Sequence, residues 1–491
     1  MPKPFRTALA AALSCLLGCL LLVAAPTGSQ AASGRGPERA APGPHGFSPS
    51  EARDVLHRAA RLMRQGVPAA DKHAASADLT MALRDLHLAR PALAGAERRT
   101  ANRLLSRSTP AANAQTAAAA ALSRRCNVHF CVHYGATTTS SWATTTLNTL
   151  SHVWEAEVPL MGRPPLPDGG TSTDPNNPDD KLDVFLEDLG DEGYYGYCST
   201  DEATASTQVS AYCVLDDNFA RAQYGAAPID SLRVTAAHEF FHAIQFAFDI
   251  SEDTWFMEGS ATWVEDVVYD DINDNYQYLA TSPIRHPRTA LDQSVGTYPY
   301  GSFIFFTYAT ARHGADTVRR FWDMAIGRRT SLQAIYAVVG ASAWSAFFTL
   351  FGSWNTLPLH SYQERASYPT PAWWLQKTLT ARARSTGWQR VVLAHLGSSA
   401  MLVAPGSRLP VSKRLLIAID APPRSSGSAA LIQRRWRDGR VTHTMLTLGA
   451  DGNRSTLIHF NRKTLRSVVI VVANTNRYGV SRGFKVRASL R

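Results

Sequence analysis

Two histidines and a glutamate stand close together in the segment Thr235-Ala-Ala-His238-Glu239-Phe-Phe-His242. On a helix, positions four residues apart lie on one face, so His238 and His242 can both reach one metal ion while Glu239 stands beside them as a base. Neutral imidazole is a ligand that zinc prefers, and a catalytic zinc site keeps one position for water. The spacing therefore predicts a hydrolytic zinc site. The alternative is a structural helix with two surface histidines.

A candidate third ligand follows in Trp255-Phe-Met-Glu258-Gly-Ser-Ala-Thr-Trp-Val-Glu265. Glu258 stands 16 residues after His242, at the start of another predicted helix, so an antiparallel return would deliver its carboxylate to the metal. Because Glu258 and Glu265 share a helix face, we assign Glu258 as the ligand and Glu265 as the residue that holds a ligand imidazole. The competing ligands are acidic residues of the predicted turn and the second glutamate: Asp249, Glu252, Asp253 and Glu265.

These two segments resemble the gluzincin metallopeptidases of the peptidase MA type, whose aminopeptidase N branch carries HExxH, then WLNEG and then a further glutamate. The resemblance implies zinc ligands His238, His242 and Glu258, general base Glu239 and supporting residue Glu265. The sequence lacks the Gly-x-Met-Glu-Asn segment that grips a substrate amino terminus in that branch, and the spacing to the third ligand is shorter. An endopeptidase is therefore expected. The layout also resembles a group of secreted bacterial putative metalloproteases of this clan.

The same resemblance implies a downstream tyrosine that stabilises the oxyanion, in the pattern Tyr-x-x-Gly ahead of an apolar helix. Tyr298 in Tyr298-Pro-Tyr300-Gly301 matches this pattern best, and Tyr300 is the second candidate. The alternative is that both are packing aromatics.

The expected function is hydrolysis of peptide bonds in a protein or peptide substrate by a metal-activated water, with Glu239 as general base. The alternative is an exported non-catalytic zinc-containing binding or cell-surface module on the same fold. A third hypothesis is a zinc hydrolase that acts on a non-peptide bond.

The chain begins with Lys3 and Arg6, an apolar run and then small residues, which together predict a cleavable signal peptide over 1–31 and a secreted, extracellular protein. No later apolar run is long enough to cross a bilayer, so we expect no transmembrane segment in the mature chain. The formal net charge is +10, but no nucleic-acid-reading motif accompanies it, so nucleic acid is not an expected partner. Oligomeric state is not indicated.

Four cysteines remain after the signal, an even number that suggests disulfides in an exported protein. Cys198 and Cys213 flank a polar stretch as hairpin arms would, which favours that pair. Cys126 and Cys131 would stand about 16 Å apart on one strand, too far to bridge. Either a turn intervenes between them or they pair elsewhere.

The predicted fold class is α+β, with a zincin-like catalytic domain, strand-rich first and helical later, and a C-terminal β-sandwich. The predicted organisation is a helical region at 32–122, a metallopeptidase domain at 123–400 and the β domain at 405–491. The helical region is either a propeptide or a permanent domain. Strands are expected at 128–134, 182–189 and 211–215, and helices at 143–157, 255–268, 301–311, 315–324, 331–339 and 343–354.

An acidic segment, Asp174-Pro-Asn-Asn-Pro-Asp179-Asp180-Lys-Leu-Asp183, supplies the oxygen ligands that calcium requires. A solvated acidic loop is the alternative. Calcium is therefore a second expected cofactor beside zinc only if these carboxylates converge.

Overall fold

A computed structural model describes residues 46–65, 72–106, 122–167, 180–202, 206–327, 329–363 and 368–491. The predicted signal peptide at 1–31 lies outside these ranges, as do Asp174 and Asp179 of the predicted calcium segment. All of the described residues belong to one unit, residues 39–491.

Three amphipathic helices come first. They are α1 (Pro49–Gln65), α2 (Lys72–Ala89) and α3 (Gly95–Leu105). A capping box begins α1, because the Ser48 hydroxyl accepts from the Glu51 N–H and the Glu51 carboxylate accepts from the Ser48 N–H. On α2 the buried residues Leu79, Leu83 and Leu86 recur at helical spacing, so this helix presents an apolar stripe to the rest of the protein.

A five-stranded sheet follows, interrupted by one long helix. Its elements are β1 (Ser123–Cys126), β2 (Phe130–Tyr134), α4 (Ser140–Met161), β3 (Leu182–Glu187), β4 (Gly196–Ser199) and β5 (Tyr212–Asp216). The strand order is β1-β2-β3-β5-β4. The three central strands run parallel, whereas β1 and β4 are antiparallel edges. The predicted strands lie at nearly the same positions, but β2 begins at Phe130 rather than Val128.

Two disulfides join strands of this sheet. Cys198 and Cys213 face each other across β4 and β5, so the favoured pair is confirmed. Cys126 pairs with Cys131 across β1 and β2, because a turn intervenes between them. The Asn127 side chain makes that turn by accepting from the N–H groups of His129 and Phe130 at 2.9 and 2.8 Å.

The sheet is buried on both faces. Alternate residues of β3 point to opposite sides: Val184 and Leu186 join the main core with α4, whereas Phe185 joins a second core with α1 to α3. Tyr197 and Tyr212 lie in that second core as well. The N-terminal helices therefore cover the outer face of the sheet.

The next part of the chain is helical. Its helices are α5 (Arg221–Tyr224), α6 (Pro228–Asp249), α7 (Thr254–Val268), α8 (Tyr298–Gly301), α9 (Phe303–His313), α10 (Thr317–Ala325), α11 (Ser331–Val339), α12 (Trp344–Trp354) and α13 (Pro358–Ser361). Pro228 stands in the first turn of α6, where its missing N–H costs nothing. In the described ranges, no single helix is long and apolar enough to span a membrane, although α11 and α12 pass that test together as a bent pair.

The C-terminal part is a β-sandwich. Its strands are β6 (Leu375–Leu379), β7 (Gln389–Leu393), β8 (Ser398–Pro405), β9 (Arg414–Asp420), β10 (Ser428–Trp436), β11 (Val441–Leu446), β12 (Arg454–His459), β13 (Leu465–Asn474) and β14 (Arg482–Leu490). One sheet has the order β11-β10-β13-β8-β6 and the other β12-β9-β14-β7, with an apolar core between them. The sandwich begins at Leu375, well before the predicted start at 405. The sequence pattern did not predict β6 and β7, because both strands are short and alternate only partly.

Candidate active site

Two antiparallel helices bring the predicted ligands together. His238 and His242 lie in the middle of α6, and Glu258 lies near the start of α7. The Nε2 atoms of the two histidines are 3.0 Å apart. Glu258 Oε2 lies 3.2 Å from His238 Nε2 and 3.7 Å from His242 Nε2. These three atoms form a group able to hold one metal ion.

The other ring nitrogen of each histidine is held by a neighbour. His238 Nδ1 lies 2.6 Å from Glu265 Oε1, and His242 Nδ1 lies 2.7 Å from Gln245 Oε1. The Gln245 amide is fixed in turn, because its nitrogen donates to the Met257 carbonyl at 2.9 Å. If both Nδ1 atoms carry the proton, each Nε2 presents a lone pair.

This arrangement fits a cation. Two Nε2 lone pairs and a carboxylate oxygen, all buried, would face one another at 3.0 to 3.7 Å without a proton between them, which is unfavourable unless a positive charge lies there. Glu258 Oε1 is also buried and has no hydrogen-bond partner within the described ranges. Zinc–ligand distances of about 2.0 to 2.2 Å place tetrahedral ligand atoms about 3.4 Å apart, in keeping with these separations.

Burial and charge act in opposite directions on these groups. Burial alone would raise the pKa of Glu258, but the facing histidines outweigh it and hold this pKa at about 2. Burial raises the pKa of Glu265 to about 7, although its contact with His238 works against the rise. Burial would lower the pKa of His238, yet its bonds with Glu258 and Glu265 raise it well above its usual value, so this position attracts a positive charge, either a proton or a metal ion. A ligand carboxylate that is ionised beside imidazoles suits a metal site.

Glu239 stands next to the ligands and is covered from α2. Its side chain is 5% exposed, and burial raises the pKa of its carboxyl group. The Thr80 hydroxyl donates to Glu239 Oε2 at 3.2 Å and accepts from the Cys198 N–H of β4 at 3.1 Å. The predicted general base is therefore bonded to the N-terminal helical region.

The two candidate tyrosines lie in different surroundings. The Tyr300 ring stacks on the His238 ring, with centroids 5.9 Å apart and an interplanar angle of 13°. Tyr300 also packs against Tyr278, with centroids 4.9 Å apart. Tyr298 is buried near Asp292, and burial raises its pKa. Tyr300, the second candidate from the sequence, is thus the one that the structure places beside a ligand.

A pocket of about 410 Å³, including its open mouth, leads to the site. His238, Glu239 and Glu265 are among the residues that line it. The remaining lining residues come from α6, from the residue before β4, from the segment between α7 and α8, and from α8: Tyr195, Val234, Thr235, Asp274, Gln277, Tyr278 and Tyr300. Tyr298 does not line it.

Gly259 allows α7 to approach its neighbours closely. A Cβ atom at this position would lie 2.8 Å from the Phe306 ring and 3.1 Å from the Pro299 carbonyl oxygen. A larger residue would push α7 away from α8 and α9, and with it the adjacent predicted ligand Glu258.

Two of the three competing ligands of the turn, Asp249 and Asp253, are engaged elsewhere. Asp249 accepts from the N–H and hydroxyl of Ser251 at 2.9 and 2.6 Å, and Asp253 accepts from the Ser331 hydroxyl. Of the predicted calcium segment, Asp183 is buried and its carboxylate lies 2.9 Å from His133 Nε2. Calcium stays a prediction.

Two site residues were not foreseen from the sequence. Gln245 follows His242 by three residues, a spacing at which helical side chains meet, so its contact with His242 could have been predicted from the sequence. The contact of Thr80 with Glu239 could not, because 159 residues separate the two.

Residues 204–350 are similar to a family described as a family of unknown function (DUF6055). The matched range contains both histidines, Glu258, Glu265 and both tyrosines. A search of curated proteins finds no match.

Proposed function

We propose that this protein is a secreted zinc-dependent endopeptidase with His238, His242 and Glu258 as zinc ligands. The observation that carries the proposal is the convergence of these three ligand atoms within 3.7 Å of one another, with Glu239 beside them. The predicted signal peptide and the two disulfides support an extracellular location.

A zinc ion bound by these residues would supply Lewis acidity, which polarises a peptide carbonyl and makes a water molecule more acidic. Glu265 and Gln245 fix the ring orientation of the two histidines, so that the ligand nitrogens are in place before any ion binds. Glu258 contributes the negative charge of the set.

Glu239 acts as the general base. Its carboxylate takes a proton from the attacking water and gives it to the amine nitrogen as the peptide bond breaks, so that a neutral amine leaves. Burial raises its pKa, which makes this carboxylate a stronger base than an exposed glutamate. Tyr300 lies against His238 on the pocket side, where its hydroxyl group would stabilise negative charge on the carbonyl oxygen.

The replacement Glu239→Gln tests the proposal. We expect the variant to bind one zinc ion per chain, as the wild type does, and to lose cleavage of an unfolded protein substrate by about a thousandfold or more. Chelation should abolish wild-type cleavage, and zinc should restore it. The exposed Glu155→Gln serves as a matched control and should retain full activity.

The same experiment separates the peptidase from a zinc-containing binding module. A module would bind zinc in both forms without chelator-sensitive cleavage. Equal cleavage by wild type and Glu239→Gln would contradict the assigned base.

We further propose that the helical region at 32–122 is a propeptide that covers the site until it is removed. Thr80 supports this proposal, because its hydroxyl group is hydrogen-bonded both to the Glu239 carboxylate and to the Cys198 N–H of an edge strand. An exposed edge strand offers main-chain groups to an extended peptide substrate. Arg84 of α2, only 1% exposed, donates to the Glu252 carbonyl at 2.6 Å and ties α2 to the loop before α7.

Mass spectrometry of the active secreted form tests the propeptide. We expect its amino terminus to lie after residue 105, and we expect the zinc-loaded form that retains α2 to cleave protein substrates poorly. Full activity in a chain that begins near residue 32 would instead identify the helices as a permanent domain.

A further inference from the structure

The positive charge of the protein is concentrated in the β-sandwich. Residues 375–491 contain 21 lysines and arginines but only 3 aspartates and no glutamate, a formal net charge of +18. The whole chain carries +10, so residues 1–374 carry −8. Such a separation of charge between two parts of one chain points to an acidic partner for the basic part.

One face of the sandwich carries exposed side chains in the part of the chain that the structure describes, among them Arg390, Val392 and Arg414. The five-stranded sheet packs on the helical part through its outer residues Leu431, Val469 and Val471, which contact Leu350 of α12. The four-stranded sheet contributes Val391, Phe484 and Val486 to the core between the sheets, so the alternate residues of β7 and β14 point outward.

We call the outward side of the four-stranded sheet the basic face and define it by Trp388, Arg390, Arg414, Lys485 and Arg487. Arg390 pairs in register with Lys485, so the two cations are neighbours on adjacent strands. The Arg487 guanidinium lies 4.8 Å from the centre of the Trp388 ring. Lys485 donates to Asp420 at 2.7 Å, which leaves the three arginines as the excess charge.

The basic face also carries exposed apolar surface. Trp388, just before β7, is 45% exposed, and Val392, four residues further along the chain, is 66% exposed. A flat indole ring next to a guanidinium can stack on a sugar ring through its C–H face, while the planar guanidinium binds a carboxylate through two parallel hydrogen bonds. A sheet that binds single-stranded nucleic acid stacks successive bases on several aromatic rings, whereas Trp388 is the single outward Phe, Tyr or Trp on or beside these four described strands.

We infer that the basic face binds an anionic polysaccharide, a chain of sugar rings that bear carboxylate groups. The arginines bind the carboxylates, and Trp388 with Val392 supports a sugar ring. The binding would hold the protein at a polyanionic matrix by a surface on the opposite side of the sandwich from the helical part. This inference does not depend on peptidase activity.

Binding of the full chain to polygalacturonate, measured by titration calorimetry at about 50 and 200 mM salt, tests the inference. We expect Arg390→Ser/Arg487→Ser to weaken binding by about tenfold or more, because each substitution removes a guanidinium and with it a charge-assisted hydrogen bond to a carboxylate. Trp388→Ala should weaken binding without changing the salt dependence. Arg437→Ser/Arg440→Ser, an equal loss of charge in the turn between β10 and β11 of the other sheet, is the matched control and should bind as the wild type does.

Two outcomes would overturn the inference. An equal loss in the control pair would mean that net charge alone attracts the polymer. Tighter binding of single-stranded DNA or polyglutamate than of polygalacturonate at equal charge concentration would identify a nucleic acid or an acidic polypeptide as the partner. Neutral dextran should not bind. All four proteins are first compared by thermal unfolding, so that a folding defect is not read as lost binding.

Discussion

His238 is held at both ring nitrogens, by Glu265 at Nδ1 and by the ligand cluster at Nε2. The Glu265 bond at 2.6 Å is short, as expected for a carboxylate that accepts from an imidazole. Neither group is exposed to water to a large extent, so the loss of one leaves the other poorly satisfied.

Glu265→Gln should therefore weaken zinc binding rather than abolish it. Substitutions of residues that orient a ligand imidazole cost about 10- to 100-fold in metal affinity. Competition with a fluorescent zinc chelator measures the change, with the exposed Glu155→Gln as control. An unchanged affinity would mean that Glu265 contributes nothing to the orientation of His238.

The two tyrosines give a second prediction at this scale. Tyr300 lines the pocket and stacks on His238, whereas Tyr298 is buried near Asp292. We expect Tyr300→Phe to lower kcat by about 100- to 1000-fold with little change in KM, as loss of one oxyanion donor does. Tyr298→Phe should leave kcat nearly unchanged. The reverse result would return the role to Tyr298.

At the scale of elements, helix α2 is attached to the site by buried polar groups. His87 on this helix is 3% exposed, and its Nδ1 has no hydrogen-bond partner within the described ranges. Burial, and then the nearby Arg90, lowers the pKa of His87 from 6.5 to about 4. The imidazole must therefore stay neutral while α2 is docked.

This lowered pKa makes the docking of α2 sensitive to acid. Above pH 6.5 His87 is neutral in both folded and unfolded states, and between 6.5 and about 4 only the unfolded state takes up the proton. Stability should therefore fall over this window, by about 1.4 kcal/mol per pKa unit at most. Denaturant unfolding gives the free energy of unfolding of wild type and His87→Gln at pH 7 and pH 4.5. The effect of His87 is the loss between these pH values in the wild type minus the loss in the variant. Equal losses in both proteins would exclude His87 as the cause.

Much of the candidate site could be predicted from the sequence, because helical periodicity groups His238 with His242 and Glu258 with Glu265, and the short segment between the two helices allows an antiparallel return. The Asn127 turn was left open, because alternating residues predict a strand even where one side chain reverses the chain. The Thr80 contact depends on how distant segments pack, which no local pattern records.

At the scale of the whole molecule, the helical part and the sandwich are joined by a polar and close-packed contact. Trp344 Nε1 donates to the Thr475 carbonyl at 2.8 Å, and Arg435 donates to the Thr356 carbonyl at 2.7 Å. A Cβ atom on Gly352 would lie 2.5 Å from the Ser398 hydroxyl oxygen, so α12 lies directly against β8. The α+β class with a C-terminal β-sandwich is as predicted, but the extent of this contact is not visible in the sequence.

Gly352→Ala tests whether the two parts unfold together. The added methyl group has no room, so we expect a loss of about 1 to 3 kcal/mol in the free energy of unfolding. Gly483→Ala is the matched control, since nothing lies within 4 Å of a Cβ at that position. Differential scanning calorimetry should show a single transition shifted to lower temperature in Gly352→Ala. A shift confined to one of two transitions would mean that the parts unfold independently.

The Cys126–Cys131 disulfide has a consequence for any protein cut within residues 107–121. Such a cut makes β1 the first strand of a new chain, and chain ends fray unless something ties them down. The disulfide closes β1 onto β2, so the newly made end can loosen only as far as Cys126. The disulfide therefore limits fraying to the residues before Cys126, and the parallel strands β2, β3 and β5 keep their register.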